Sequence, residues 1–230
     1  MSAEFAKTYS ESLSSTGLAP ITLHPSLHGT AGALKRSFDV TVALLGLIAL
    51  LPVMLAIAVL IKLDSPGPAF FKQRRVGLNG HEFWMYKFRS MTVDAETRHQ
   101  ELLAHNEVKD GVIFKMSNDP RVTRIGRFLR KTSLDELPQL VNVLRHEMSL
   151  IGPRPLPTYE VAQQTPYQMQ RLEVLPGCTG LWQVSGRSQI DTFKEMVELD
   201  LEYIRNWSFP YDLRILFQTV SAVLKARGSY

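Results

Sequence analysis

Val40-Thr41-Val42-Ala43-Leu44-Leu45-Gly46-Leu47-Ile48-Ala49-Leu50-Leu51-Pro52-Val53-Met54-Leu55-Ala56-Ile57-Ala58-Val59-Leu60-Ile61 is a run of 22 residues without a charge. About 20 such residues, at 1.5 Å each, cover the ~30 Å hydrocarbon layer of a bilayer. The competing reading is a helix buried in a protein core, for which this length is unusual. Two features separate the run from a plain span. Pro52 lies near its middle, where it removes one backbone bond and clashes with the preceding turn. Lys35 and Arg36 precede the run and Lys62 follows it, so both ends carry the basic signal of a cytoplasmic side. A helix that enters, bends at Pro52 and leaves by the same face satisfies both features. A kinked single span is the alternative, because membrane helices tolerate proline.

Outward from this run, residues 1–33 are rich in Ser, Thr, Gly and Pro and read as a disordered tail without a secretory signal. The expected organisation is that tail, a membrane-inserted broken helix over 34–62, and a cytosolic body over 63–230. The chain of 230 residues is 45% hydrophobic and 21% charged, which excludes a disordered or collagenous protein. Its one cysteine, Cys178, excludes a disulfide framework or a cysteine-rich metal site. Net charge is +4, but residues 62–155 hold 16 bases against 11 acids, so an anionic partner belongs there.

The body reads as α+β, mainly helical. Ala69–Gln73 and Glu82–Phe88 flank the turn dipeptide Asn79-Gly80 and predict a small β-hairpin. Helical patterns follow at 94–105, 120–131, 136–145, 158–172, 191–206 and 210–226. The last carries Leu213, Leu216, Phe217, Val220 and Leu224 on one side, for the core or for a membrane surface.

Four segments have chemical potential. Asp135-Glu136 precedes Pro138, which belongs in a first helical turn, so the acids sit at a helix N-terminus that favours ionised carboxylates. Ser133-x-x-Glu136 equally matches a capping box. Arg121, Arg124, Arg127 and Arg130 fan over half a helix; Arg130 falls closest to the acids. Gly152-Pro153-Arg154-Pro155 presents one guanidinium on a rigid backbone, suited to phosphate, or is simply a turn. Pro176–Arg187, with Gln183 and Arg187, has the groups to hold a base and a phosphate, or is a loop packed on Trp182. No P-loop, dinucleotide fingerprint, serine-hydrolase elbow or His-Glu-x-x-His motif occurs. There is no Asp-x-Asp; Asp200-Leu201-Glu202 is the nearest.

Singly these segments are weak, and in order they are specific. Lys35-Arg36-Ser37-Phe38-Asp39 precedes the broken apolar run. Then come Phe71–Gly77, Tyr86-Lys87-Phe88-Arg89-Ser90-Met91, Asp119–Gly126, Leu134-Asp135-Glu136-Leu137-Pro138-Gln139-Leu140, Met148–Pro155 and Pro176–Gln183. Over residues 34–230 the series resembles the bacterial sugar transferases, the monotopic polyprenyl-phosphate phosphoglycosyl transferases. The ending and length look most like the members that start exopolysaccharides with galactose phosphate. The resemblance implies transfer of a sugar-1-phosphate from a UDP-sugar to undecaprenyl phosphate, with UMP released. It implies Asp135 as nucleophile and metal ligand, Glu136 as its catalytic companion, and required Mg2+. Arg130 and Arg154 correspond to the family's phosphate-binding arginines, and Lys87, Gln183 and Arg187 are further substrate-binding candidates. The implied location is the bacterial inner membrane with the catalytic domain facing the cytoplasm. The implied partners are undecaprenyl phosphate, a UDP-sugar, membrane lipids and optionally a second copy of the chain, but no nucleic acid. A membrane-anchored nucleic-acid binder would use the arginine series yet leave Asp135-Glu136 without a role. A transferase for a soluble acceptor is the other rival.

Overall fold

The computed structural model describes residues 24–108, 114, 116, 118–186, 190 and 192–224. The apolar run lies inside one uninterrupted helix, α1 (Gly29–Asp64), with Pro52 within it. The two arms expected around Pro52 therefore belong to one continuous helix of 36 residues, with a contour of about 54 Å. Proline removes one amide donor, but its fixed φ is helical, so a long apolar helix continues through it. The helix also starts inside the stretch expected to be a tail, and His24 before it is buried. There His24 Nε2–H donates to the Ile204 carbonyl at 2.8 Å.

Leu45, Ile48 and Leu55 of α1 are 60%, 64% and 61% exposed, which excludes a core helix. One stripe, including Lys35, Asp39, Ala43, Ile57 and Ile61, is buried. Near its start, Lys35 Nζ donates to Asp212 (2.6 Å) and to the Ile151 carbonyl (3.2 Å). Asp39 accepts from the Ser149 hydroxyl (2.7 Å) and the Leu150 amide (3.2 Å). At its end, the Arg89 guanidinium donates to the carbonyls of Ile61, Ser65 and Pro66. Asp64 accepts from the Ile125 amide at 3.2 Å. Both ends of α1 are thus tied to one body.

The body is a mixed helical and β structure. Its strands are β1 (Phe70–Val76), β2 (Glu82–Phe88), β3 (Ser149–Ile151), β4 (Leu156–Pro157) and β5 (Gly177–Thr179). Its helices are α2 (His99–Leu102), α3 (Arg124–Thr132), α4 (Gln139–Leu144), α5 (Thr158–Val161), α6 (Pro166–Met169), α7 (Leu181–Val184), α8 (Phe193–Arg205) and α9 (Phe209–Leu224). β1 and β2 form the expected antiparallel hairpin, Phe71 opposite Lys87 and Arg75 opposite Phe83. Asn79 and Gly80 turn it with φ of 52° and 78°, a region these two residues enter most easily. β4 joins the other edge of β1, and β3 pairs in parallel with β5. These strands are too short to show alternation in sequence. The Gly152–Pro155 loop links the two sheets. A Cβ on Gly177 would stand 2.1 Å from the Gly152 amide nitrogen, so only glycine allows the two loops to pass.

The helix expected over 158–172 is broken because Pro166 begins α6, capped by Thr165 with Gln168. The core gathers Val143, Met148, Ile151, Val161, Phe193, Met196, Leu201 and Ile215. The inward face of α9 carries Asp212 and Ile215, whereas Phe217 and Val220 are 74% and 52% exposed. Of the stripe expected to face the core or a membrane surface, Leu216 packs against the core whereas Phe217 and Val220 turn outward. Asp212 turns inward because Lys35, the Tyr203 hydroxyl (2.7 Å) and Trp207 Nε1 (3.1 Å) all donate to it.

Candidate active site

α3 ends at Thr132, and Ser133 turns the chain with a left-handed φ of 57°. Asp135 and Glu136 occupy the short 3-10 turn Leu134–Glu136 that follows. α4 begins only at Gln139, with Pro138 as its N-cap, so the acids precede the helix instead of sitting in its first turn. The Ser133 side chain does not cap the turn, and the capping box does not form. Glu136 Oε1 instead accepts from Lys87 Nζ at 3.1 Å and from the Arg154 guanidinium at 2.9 Å. One carboxylate oxygen thus joins β2, the acidic turn and the Gly152–Pro155 loop.

Asp135 is 8% exposed. Burial pushes its carboxyl up to about 6, against the pull of Lys87, Arg130 and Arg154. Its ionisation at neutral pH rests on those cations rather than on a helix terminus. Burial also lowers Lys87 from its ordinary value, with Glu136 opposing. The charge of Glu136 raises Arg154 further. The result is a poorly solvated carboxylate beside two fixed cations, an arrangement that favours attack on an anionic phosphorus centre.

Arg130 acts electrostatically on both Asp119 and Asp135. It lines a cleft of about 260 Å³ with Met116, Asn118, Asp119, Pro120, Val122 and Arg127. Arg121 is structural: it is buried and grips Asp119 through two bonds of 2.6 and 2.9 Å. Gln183 is buried in α7, where its amide donates back to the Cys178 carbonyl at 3.4 Å. Arg187 lies outside the described residues.

Two groups beside Arg154 were not anticipated. Glu160 of α5 is buried, and burial pushes its carboxyl up to about 7 against Arg75, Arg154 and Arg171. Arg75 of β1 is lowered to about 10 by burial and by Arg154. Hairpin parity was the available signal for Arg75, because Phe71 faces Lys87 and Arg75 lies four residues on, on the same face. Nothing in sequence separates Glu160 from a surface acid.

Among the described residues no three His, Cys, Asp or Glu side chains converge to hold a metal. Asp135 offers one carboxylate, and Glu136 already carries two cations. This donor set fits Mg2+ where phosphate oxygens complete the shell, its common habit with one or two carboxylates.

The chain is 48% identical to the galactosyl transferase CpsE of Streptococcus agalactiae over 85% of its length, spanning 43% of that protein. It is 44% identical to the undecaprenyl-phosphate galactose phosphotransferase of Salmonella typhimurium, over 86% of this chain and 42% of the relative. It is also 44% identical to the exopolysaccharide production protein ExoY of Sinorhizobium fredii, here over 86% of this chain and 89% of the relative. The chain therefore spans less than half of the first two and most of the third. Residues 30–226, which hold α1 but for its first residue, the acidic turn, Lys87 and Arg154, match the family described as bacterial sugar transferase, and the chain belongs to that family.

Proposed function

We propose that the chain transfers a sugar-1-phosphate from a UDP-sugar to undecaprenyl phosphate, forming a lipid-diphosphate sugar and UMP. The observation that carries this reading is Asp135, a buried carboxylate beside a Glu136 that Lys87 and Arg154 both grip. Donor diphosphate meets Lys87, Arg154 and Arg130, and the cleft beyond Arg130 takes the nucleoside. An Asp135 oxygen attacks the phosphorus that bears the sugar, the bond to the bridging oxygen breaks, and UMP leaves with that electron pair. An oxygen of the lipid phosphate then attacks the same phosphorus and releases the Asp135 carboxylate. Glu136 holds the two cations in register through both steps. Mg2+, held by Asp135 with the phosphates, would offset negative charge on the diphosphate. Two sequential displacements at one site give ping-pong kinetics. The direct test offers purified protein a panel of UDP-sugars with undecaprenyl phosphate and Mg2+. Sustained UMP release that requires both the lipid and one particular UDP-sugar is expected, with no more than about one equivalent per protein when the lipid is left out; absence of release with every sugar, or sustained release without the lipid, contradicts the reading.

The same reading seats α1 as a re-entrant helix in the inner membrane, bent at Pro52 inside the bilayer, with both ends and the catalytic body on the cytoplasmic face. Its support is that Lys35 and Asp39 at one end, and Ile61 to Pro66 at the other, bond to one body. A helix crossing a ~30 Å core once would separate its ends by that layer. In a Cys178→Ser background, Thr30→Cys and Ser65→Cys should each label only from the cytoplasm. Labelling of either from the periplasm contradicts the seating.

A further inference from the structure

We infer that the buried pair Arg171–Asp200 is a positioning clamp for Arg154, an inference that rests on Arg154 handling phosphate. The backbone of the Gly152–Pro155 loop is held at four successive residues. The Gly152 amide donates to the Thr179 carbonyl at 2.9 Å, and the Gly177 amide donates to the Pro153 carbonyl at 2.8 Å. The carbonyls of Arg154 and Pro155 are each taken by a guanidinium, Arg171 at 2.9 Å and Arg75 at 3.0 Å. The nitrogen of Arg171 that reaches the Arg154 carbonyl also bonds Asp200 of α8. Arg171 and Asp200 are 3% and 1% exposed, and Arg171 lies 5.9 Å from the Phe193 ring centre.

Stability alone does not account for this pair. Desolvating two charges cancels much of their attraction, and apolar replacements of such pairs are often as stable. What apolar side chains cannot do is hold a carbonyl. Asp200 is the nearest thing to a nucleotide-sugar metal motif in the sequence, yet its carboxylate is committed to Arg171, behind the loop. From there it fixes the main chain from which Arg154 reaches Glu136.

The test is a double-mutant cycle read as kcat/KM for the UDP-sugar, with melting curves on every variant. Arg171→Lys keeps the charge opposite Asp200, but its shorter side chain lacks the reach to place a nitrogen where Nη2 bonds both Asp200 and the loop carbonyl. The paired Arg171→Met/Asp200→Leu removes the clamp without leaving a lone buried charge. Each should lower kcat/KM about tenfold in otherwise native protein, the worth of one hydrogen bond from a charged donor. In an Arg154→Ala background neither should add a further effect, because the residue being positioned is gone. Full activity of the folded Met/Leu variant, or losses of equal size in both backgrounds, would overturn the clamp. An Arg154→Ala protein as active as native would instead overturn the phosphate role on which it rests.

Discussion

Asp135→Asn is expected to abolish transfer, by about four orders of magnitude or more, as when other covalent nucleophiles are removed. A neutral amide is a poor nucleophile, and the adjacent carboxylate of Glu136 is gripped by Lys87 and Arg154. The fold should survive. Asp135 is buried and its carboxyl is pushed up to about 6 by that burial, so at neutral pH the folded protein holds a charge that burial disfavours. A near-isosteric neutral side chain removes that cost, and the melting temperature should hold or rise. Comparing UMP release and thermal melts of the two proteins checks both halves; substantial transfer by Asp135→Asn would point to direct attack by the lipid phosphate.

Arg154→Ala should lower transfer by about ten- to 150-fold, the loss of ~1.5–3 kcal/mol from one charge-assisted contact. The substitution removes one of the two cations bonded to Glu136, and the bond from Lys87 remains. Arg154→Lys should recover only part of the loss. An ammonium restores charge but not the planar fork, and its shorter reach from the same clamped main chain leaves Glu136 less firmly held. Steady-state kinetics of the three proteins decide this, and unchanged kinetics in folded Arg154→Ala would remove the residue from the site.

What could be read from sequence was whatever depends on local order. The apolar run announced α1, Asn79-Gly80 announced the hairpin, and the serial motifs announced the family. What could not be read depends on partners far away in the chain. Hydropathy gave α9 an apolar face for the core or for a membrane surface, but it could not show that Asp212 turns inward beside Ile215, where Lys35, 177 residues earlier, meets it. Ser133-x-x-Glu136 had the spacing of a capping box, yet Ser133 adopts a left-handed turn and Glu136 turns to Lys87 and Arg154. Pro52 reads locally as a break, whereas α1 runs through it. Glu160 and the Arg171–Asp200 pair carry no pattern at all, since a buried charge and a surface charge look alike until the fold supplies the burial.

The mechanism proposed for Asp135 requires a covalent phosphosugar on its carboxylate. Incubating the protein with its UDP-sugar and Mg2+, without lipid acceptor, and mapping the peptides by mass spectrometry tests it directly. A sugar-phosphate mass is expected on the peptide containing Asp135, lost on addition of undecaprenyl phosphate and absent from Asp135→Asn. No adduct under conditions where UMP release requires both substrates bound together would contradict it.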